Sequence, residues 1–106
     1  MLRFVGSEEG RALNRQFRGH DRPTNVLTFD YERDPLLRAD IVICLPVLRA
    51  EAGARDRTER DHLAHLVVHG VLHAQGHDHE ADDEAQRMES LEMVILRRFG
   101  IGDPYA

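Results

Sequence analysis

Between Thr58 and Gly76 the chain spells out one helix from cap to stop, and the histidines it carries restrict what the rest can fold into. Thr58-Glu59-Arg60-Asp61 resembles a capping box in which Asp takes the place of the usual Glu. It opens a helix expected over about Glu59 to Gln75, and Gly76 is the expected stop because it tolerates a left-handed backbone. Six of the seven histidines, His62, His65, His69, His73, His77 and His79, fall between positions 62 and 79. Residues four apart share a helix face, so His69 and His73 can point at one metal ion. His65 and His73 are about 12 Å apart along a helix axis, whereas ligand nitrogens around one zinc lie within about 3.5 Å of each other. A straight helix therefore cannot bring His65, His69 and His73 to one ion. The third ligand has to come from chain that turns back after Gly76, and His79 follows that turn.

The resulting pattern, His69-x-x-x-His73-x-x-Gly76-x-x-His79, offers three neutral imidazoles and an open fourth position, the way catalytic zinc is usually held. Its spacing equals that of metzincin proteases, which place a Glu general base directly after the first histidine. Here that position is Gly70. Gly cannot take a proton, so a peptidase mechanism lacks its base, and what Gly70 permits instead is close approach of another backbone to the helix. His62 and His65 read as structural or solvent-facing, His77 as exposed beside the turn, and Asp78 as a candidate to orient a ligand imidazole.

The remaining elements are expected to pack around this helix. Leu2 to Val5 reads as a short strand, and Ser7 as the cap of a helix from Glu8 to about Arg18 that buries Leu13 and Phe17 and ends at Gly19. Gly19 to Pro23 is turn chemistry, Asn25 to Phe29 alternates as a strand, and Asp34-Pro35 marks a loop. Ala39 to Leu45 is an apolar run of strand length, with Pro46 as the first residue of a helix through Ala54. A last helix from about Glu80 to Phe99 places Met88, Leu91 and Ile95 on one face, with acids in its first turns, Arg97 and Arg98 at its end, and Gly100 closing it. The class is α+β, a single domain with a small mixed sheet of about three strands, three to four helices and a central His-bearing helix.

Charge and composition narrow the function further. A formal net charge of −5 argues against indiscriminate binding to nucleic acid, yet it leaves room for a local basic site. Arg11, Arg15, Arg18 and Arg22 recur at near-helical spacing with only Asp21 as internal counter-charge, and that cluster is the candidate. No apolar run approaches the ~20 residues of a membrane span, and Met1 to Gly10 lacks the order of a secretory signal, so a cytoplasmic protein is expected. The single cysteine, Cys44, sits in the apolar run Ile41 to Leu45 and reads as a core residue in a reducing compartment.

Taken together, these motifs resemble the YbeY-type endoribonucleases, the rRNA maturation factors of bacteria. The resemblance is carried by His69-Gly70-Val71-Leu72-His73-Ala74-Gln75-Gly76-His77-Asp78-His79 with Asp82-Asp83-Glu84 after it, and by Leu13-Asn14-Arg15-Gln16-Phe17-Arg18 leading to Asp21-Arg22-Pro23-Thr24-Asn25-Val26-Leu27-Thr28-Phe29. Asp40-Ile41-Val42-Ile43-Cys44 and the closing Gly102-Asp103-Pro104-Tyr105 extend it over nearly the whole chain. Ala39 stands where the family usually has Gly, and Ala74 and His77 where it usually has Leu and Tyr. Family members usually carry a further strand and helix before the point where Met1 stands. Without them the strand at Leu2 to Val5 would present an open edge, which invites a homodimer.

The resemblance implies one ion, Zn²⁺ or another transition metal such as Ni²⁺, held by His69, His73 and His79, and a functional arginine at Arg18. It implies cleavage of single-stranded RNA in maturing the 3′ end of small-subunit rRNA and in ribosome quality control, with the small subunit as partner. Arg18 would then stabilise charge on a phosphorane-like transition state, with water or the RNA 2′-hydroxyl as nucleophile. Two other readings remain open from the residues alone. One is a metallohydrolase of peptides or another ester, and the other is a ribosome-assembly factor whose zinc is structural.

Overall fold

The chain order is β1 (Leu2–Val5), α1 (Ser7–Arg18), β2 (Val26–Glu32), β3 (Arg38–Cys44), α2 (Leu45–Ala54), α3 (Glu59–Ala74) and α4 (Asp82–Arg98). The computed structural model describes residues 1–32, 38–77 and 81–105. The apolar run of β3 becomes the centre of a three-stranded mixed sheet ordered β1-β3-β2, parallel to β1 and antiparallel to β2. Register pairs Leu2 with Ile41 and Val5 with Cys44 on one side of β3, and Val26 with Ile43 and Phe29 with Asp40 on the other. The α+β class, and the three strands and four helices among the described residues, agree with the expectation from sequence.

Side chains of β3 alternate between two apolar layers, as strand geometry requires. Val42 and Cys44 join Val5 and Leu27 under α1, with Leu13 packed against them. Ile41 and Ile43 join Leu48 and Leu66 on the opposite face, where Leu63 and Val71 of α3 also pack. Cys44 is buried as expected. Gly70 lets α3 lie close to the sheet, since a Cβ there would sit 3.2 Å from two carbons of Ile41 and 3.2 Å from Thr28 Oγ1. The close approach expected of Gly70 is therefore made to side chains of the sheet.

Several boundaries differ from the expectation. The N-cap of α1 is Gly6, without a side-chain bond, and Ser7 is the first helical residue. Leu45 leaves β3 and opens α2, where the neighbouring Pro46 presets a helical φ. Thr58 does cap α3, its hydroxyl accepting the Asp61 N–H at 3.1 Å. Gly76 has φ 102°, the left-handed turn expected of it. The buried stripe of α4 is Met88, Glu92 and Leu96, one position round from the Met88, Leu91 and Ile95 face expected, and Leu91 is exposed. Asp34, Pro35 and Glu80 lie outside the described residues.

Candidate metal centre

Four histidines of α3 recur every three or four residues, and their surroundings change from core to cleft along the helix. His62 is wholly buried and its Nε2 lies 2.9 Å from Glu51 Oε1. His65 is buried too, with Nε2 2.9 Å from Glu92 Oε2. Of the two roles expected for this pair, the structural one holds and the solvent-facing one does not. The side chain of His69 is 26% exposed, with Nδ1 2.7 Å from Glu92 Oε1. One turn later His73 is exposed, and the two rings stand parallel, 3° apart in plane with centroids 6.5 Å apart.

His69 and His73 line a cleft of about 650 Å³ together with Phe17, Arg18 and the run Val26 to Phe29 of β2. Because β2 is an edge of the sheet, the cleft follows the strand's outer side, with the end of α1 on one bank and α3 on the other. Phe17, expected in the core, is 56% exposed here and meets Phe29 edge-on at 5.0 Å between centroids.

Arg18 reaches the cleft because the chain leaves α1 in a fixed turn. Gly19 adopts φ 74° and donates its N–H to the Arg15 carbonyl at 3.1 Å. Asn14, buried, donates from Nδ2 to the Arg22 carbonyl at 2.7 Å. Arg11 grips Asp21 through two bonds of 2.8 and 2.9 Å. That bond and its charge raise the Arg11 pKa and lower that of Asp21. Arg11 is thus committed to the turn, while none of the ion pairs among the described residues engages Arg18. On the α3 side, Asn25 donates from Nδ2 to Glu51 at 3.1 Å, so buried His62 reaches the cleft through Glu51 and Asn25.

Glu92 is the residue that the sequence did not single out. Its carboxylate is wholly buried, with Oε1 toward His69 and Oε2 toward His65 and the Tyr105 hydroxyl, which donates at 2.5 Å. Burial alone would raise its pKa, but the bonds from His65, His69 and Tyr105 outweigh that and hold it at about 2. Burial and the Glu92 carboxylate in turn push the Tyr105 hydroxyl above its ordinary range, which keeps it a donor. The sequence signal was a carboxylate at the i+4 position between Met88 and Leu96 on an otherwise apolar stripe.

Of the residues expected to act, Arg18, His69 and His73 meet in one cleft, while His79 and Asp78 lie outside the described residues. Among the described residues no three His, Cys, Asp or Glu side chains converge on a metal position. The donors present nevertheless fit such an ion. Two parallel imidazoles one turn apart enter the cleft, and one has its other nitrogen bonded to a carboxylate, the usual arrangement of a metal-bound histidine.

A family model described as Endoribonuclease YbeY matches residues 1–100 of this chain. An endoribonuclease of that name from Methylibium petroleiphilum is 56% identical over 105 residues, spanning 99% of this chain and 70% of the relative. Its namesake from Bordetella parapertussis is 58% identical over 106 residues, spanning 98% of this chain and 68% of the relative. A solution structure of a protein from Thermotoga maritima superposes with a TM-score of 0.59 at 29% identity, covering 92% of this chain and 68% of that one.

Proposed function

The chain belongs to the YbeY family of endoribonucleases, and on that premise we propose that it cuts single-stranded RNA using one metal ion held by His69, His73 and His79. The observation that carries this is the meeting of Arg18, His69 and His73 in one cleft along the edge of β2. Zn²⁺ is the favoured ion and Ni²⁺ a second choice, since both suit imidazole donors. When bound, the ion would polarise a phosphoryl oxygen and acidify a nearby water.

The chain's own residues divide the remaining work. Arg18 places a planar fork of donors where negative charge builds on the phosphoryl group. Phe17 and Phe29 give splayed bases an aromatic bank, which a stacked duplex does not engage, and this favours single strands. Gly70 supplies no general base at the place a peptidase of this spacing needs one, which weighs against peptide hydrolysis. The physiological substrate on this reading is rRNA, at the 3′ end of the small-subunit species and in ribosome quality control. The protein acts in the cytoplasm as one domain over residues 1–106, with the small subunit as partner. Among the described residues no helix is long and apolar enough to cross a membrane. A homodimer through the edge of β1 belongs to the same reading.

Cleavage of one labelled oligoribonucleotide, offered single-stranded and annealed, tests the proposal. Cutting of the single strand that stops with a chelator and returns with Zn²⁺ or Ni²⁺ is expected. Equal cutting of the duplex, or cutting untouched by the chelator, would contradict it. Tight binding without cutting would favour an assembly factor with a structural zinc.

A further inference from the structure

A wholly buried carboxylate on the stripe between Met88 and Leu96 is costly to keep unless its partners give it a purpose. Glu92 meets three donors from two other parts of the chain. His65 and His69 come from α3, and Tyr105 comes from the closing segment, where its own N–H donates to Asp103 Oδ1 at 2.8 Å. Its two oxygens are divided between these partners, which stops the carboxylate from rotating.

We propose that Glu92 is a positioning residue for the metal, anchored by His65 and Tyr105, which accepts the Nδ1–H of His69 and so assigns Nε2 of that ring to the ion. The inference rests on His69 being a ligand, as proposed above. A neutral imidazole has one donor nitrogen and one acceptor nitrogen, and an ionised carboxylate only accepts. On this proposal the 2.7 Å contact from Nδ1 to Glu92 Oε1 places the proton on Nδ1 and leaves Nε2 for the ion. His69 borders both the Glu92 side, with Met88 and Tyr105, and the cleft shared with His73 and Arg18. A carboxylate behind a ligand histidine also makes it a better donor to the metal. Through Tyr105 the closing segment of the chain becomes part of the support of the site.

The test uses the 106-residue wild type, Glu92→Gln and Tyr105→Phe, with His73→Ala as the ligand control. Zn²⁺ affinity is read by competition with a chelator, and the His69 tautomer by imidazole ¹⁵N shifts of the zinc-loaded wild type. Glu92→Gln should bind Zn²⁺ about 10–100-fold more weakly, Tyr105→Phe should lose less, and the His69 proton should sit on Nδ1. A purely packing role would lower the melting temperature of the metal-free protein and leave the affinity of the folded form unchanged. Wild-type affinity in Glu92→Gln, or a proton on Nε2, overturns the proposal while leaving the metal site itself standing. Should Glu92→Gln not fold, the tautomer and Tyr105→Phe decide between the same outcomes. Absence of Zn²⁺ binding in wild type would overturn the ligand assignment, and this inference with it.

Discussion

Arg18 is the last residue of α1, and its position is set by neighbours that never touch the cleft: Gly19 turning left-handed, Asn14 holding the Arg22 carbonyl, and Arg11 tied to Asp21. The family resemblance pointed to Arg18, but its approach to His69 and His73 was not legible in local spacing, where the basic residues formed only a periodic cluster. Once in the cleft, its guanidinium is suited to charge that develops in the transition state. Arg18→Ala should therefore reduce cleavage about 10²–10³-fold, with metal content and melting temperature near wild type. Arg18→Lys should recover little, because a point charge does not replace the fork. An unchanged rate in Arg18→Ala, measured on a folded and metal-loaded protein, would remove Arg18 from the mechanism. Phe17 shows the opposite limit of sequence reading. Its spacing from Leu13 assigned it to the core, yet it ends on the bank of the cleft, where it meets Phe29 of the edge strand β2 and stays more than half exposed.

At the scale of elements, α3 was the most legible part of the chain, because a cap, a histidine pair and a stop residue all gave the same helix. What periodicity could not supply was the partner of each histidine. Glu51 and Glu92 reach α3 from α2 and α4, and such long-range pairings leave no trace in local spacing. The acids at the beginning of α4 lie at its exposed start, whereas Glu92 is buried deeper along the same helix. Gly70 gives a direct test of how closely α3 must approach the sheet. Gly70→Ala gains about 1 kcal/mol of helix propensity, but its methyl would meet Ile41 and Thr28 at 3.2 Å. Overpacking of this kind typically costs about 1–3 kcal/mol, and Ile41 on the central strand has little room to give. The variant should be less stable by about 1 kcal/mol, a fall in melting temperature of about 4–8 °C. Calorimetry showing an equal or higher melting temperature would mean that the helix stands further from the sheet than described.

At the scale of the molecule, the sheet formed by the described residues ends on two different kinds of edge. The outer side of β2 forms the cleft, whereas among the described residues β1 pairs only with β3 and carries Leu2 and Phe4, each 44% exposed. Exposed apolar edges recruit another strand, and charge on them prevents it. Light scattering of the wild type should show a mass that rises toward the dimer with concentration, while Phe4→Lys stays monomeric. A wild type that remains monomeric at every concentration would show that the edge is not used. The fold and the family agree on an endoribonuclease, and the proposed metal would be held by His69, His73 and His79. The most direct test is elemental analysis of wild type and His73→Ala, each paired with cleavage of a single-stranded RNA. One equivalent of metal in the wild type, lost in the variant together with cleavage, is the expected result. RNA cleavage that persists in His73→Ala, or a wild type that cleaves without bound metal, would contradict it.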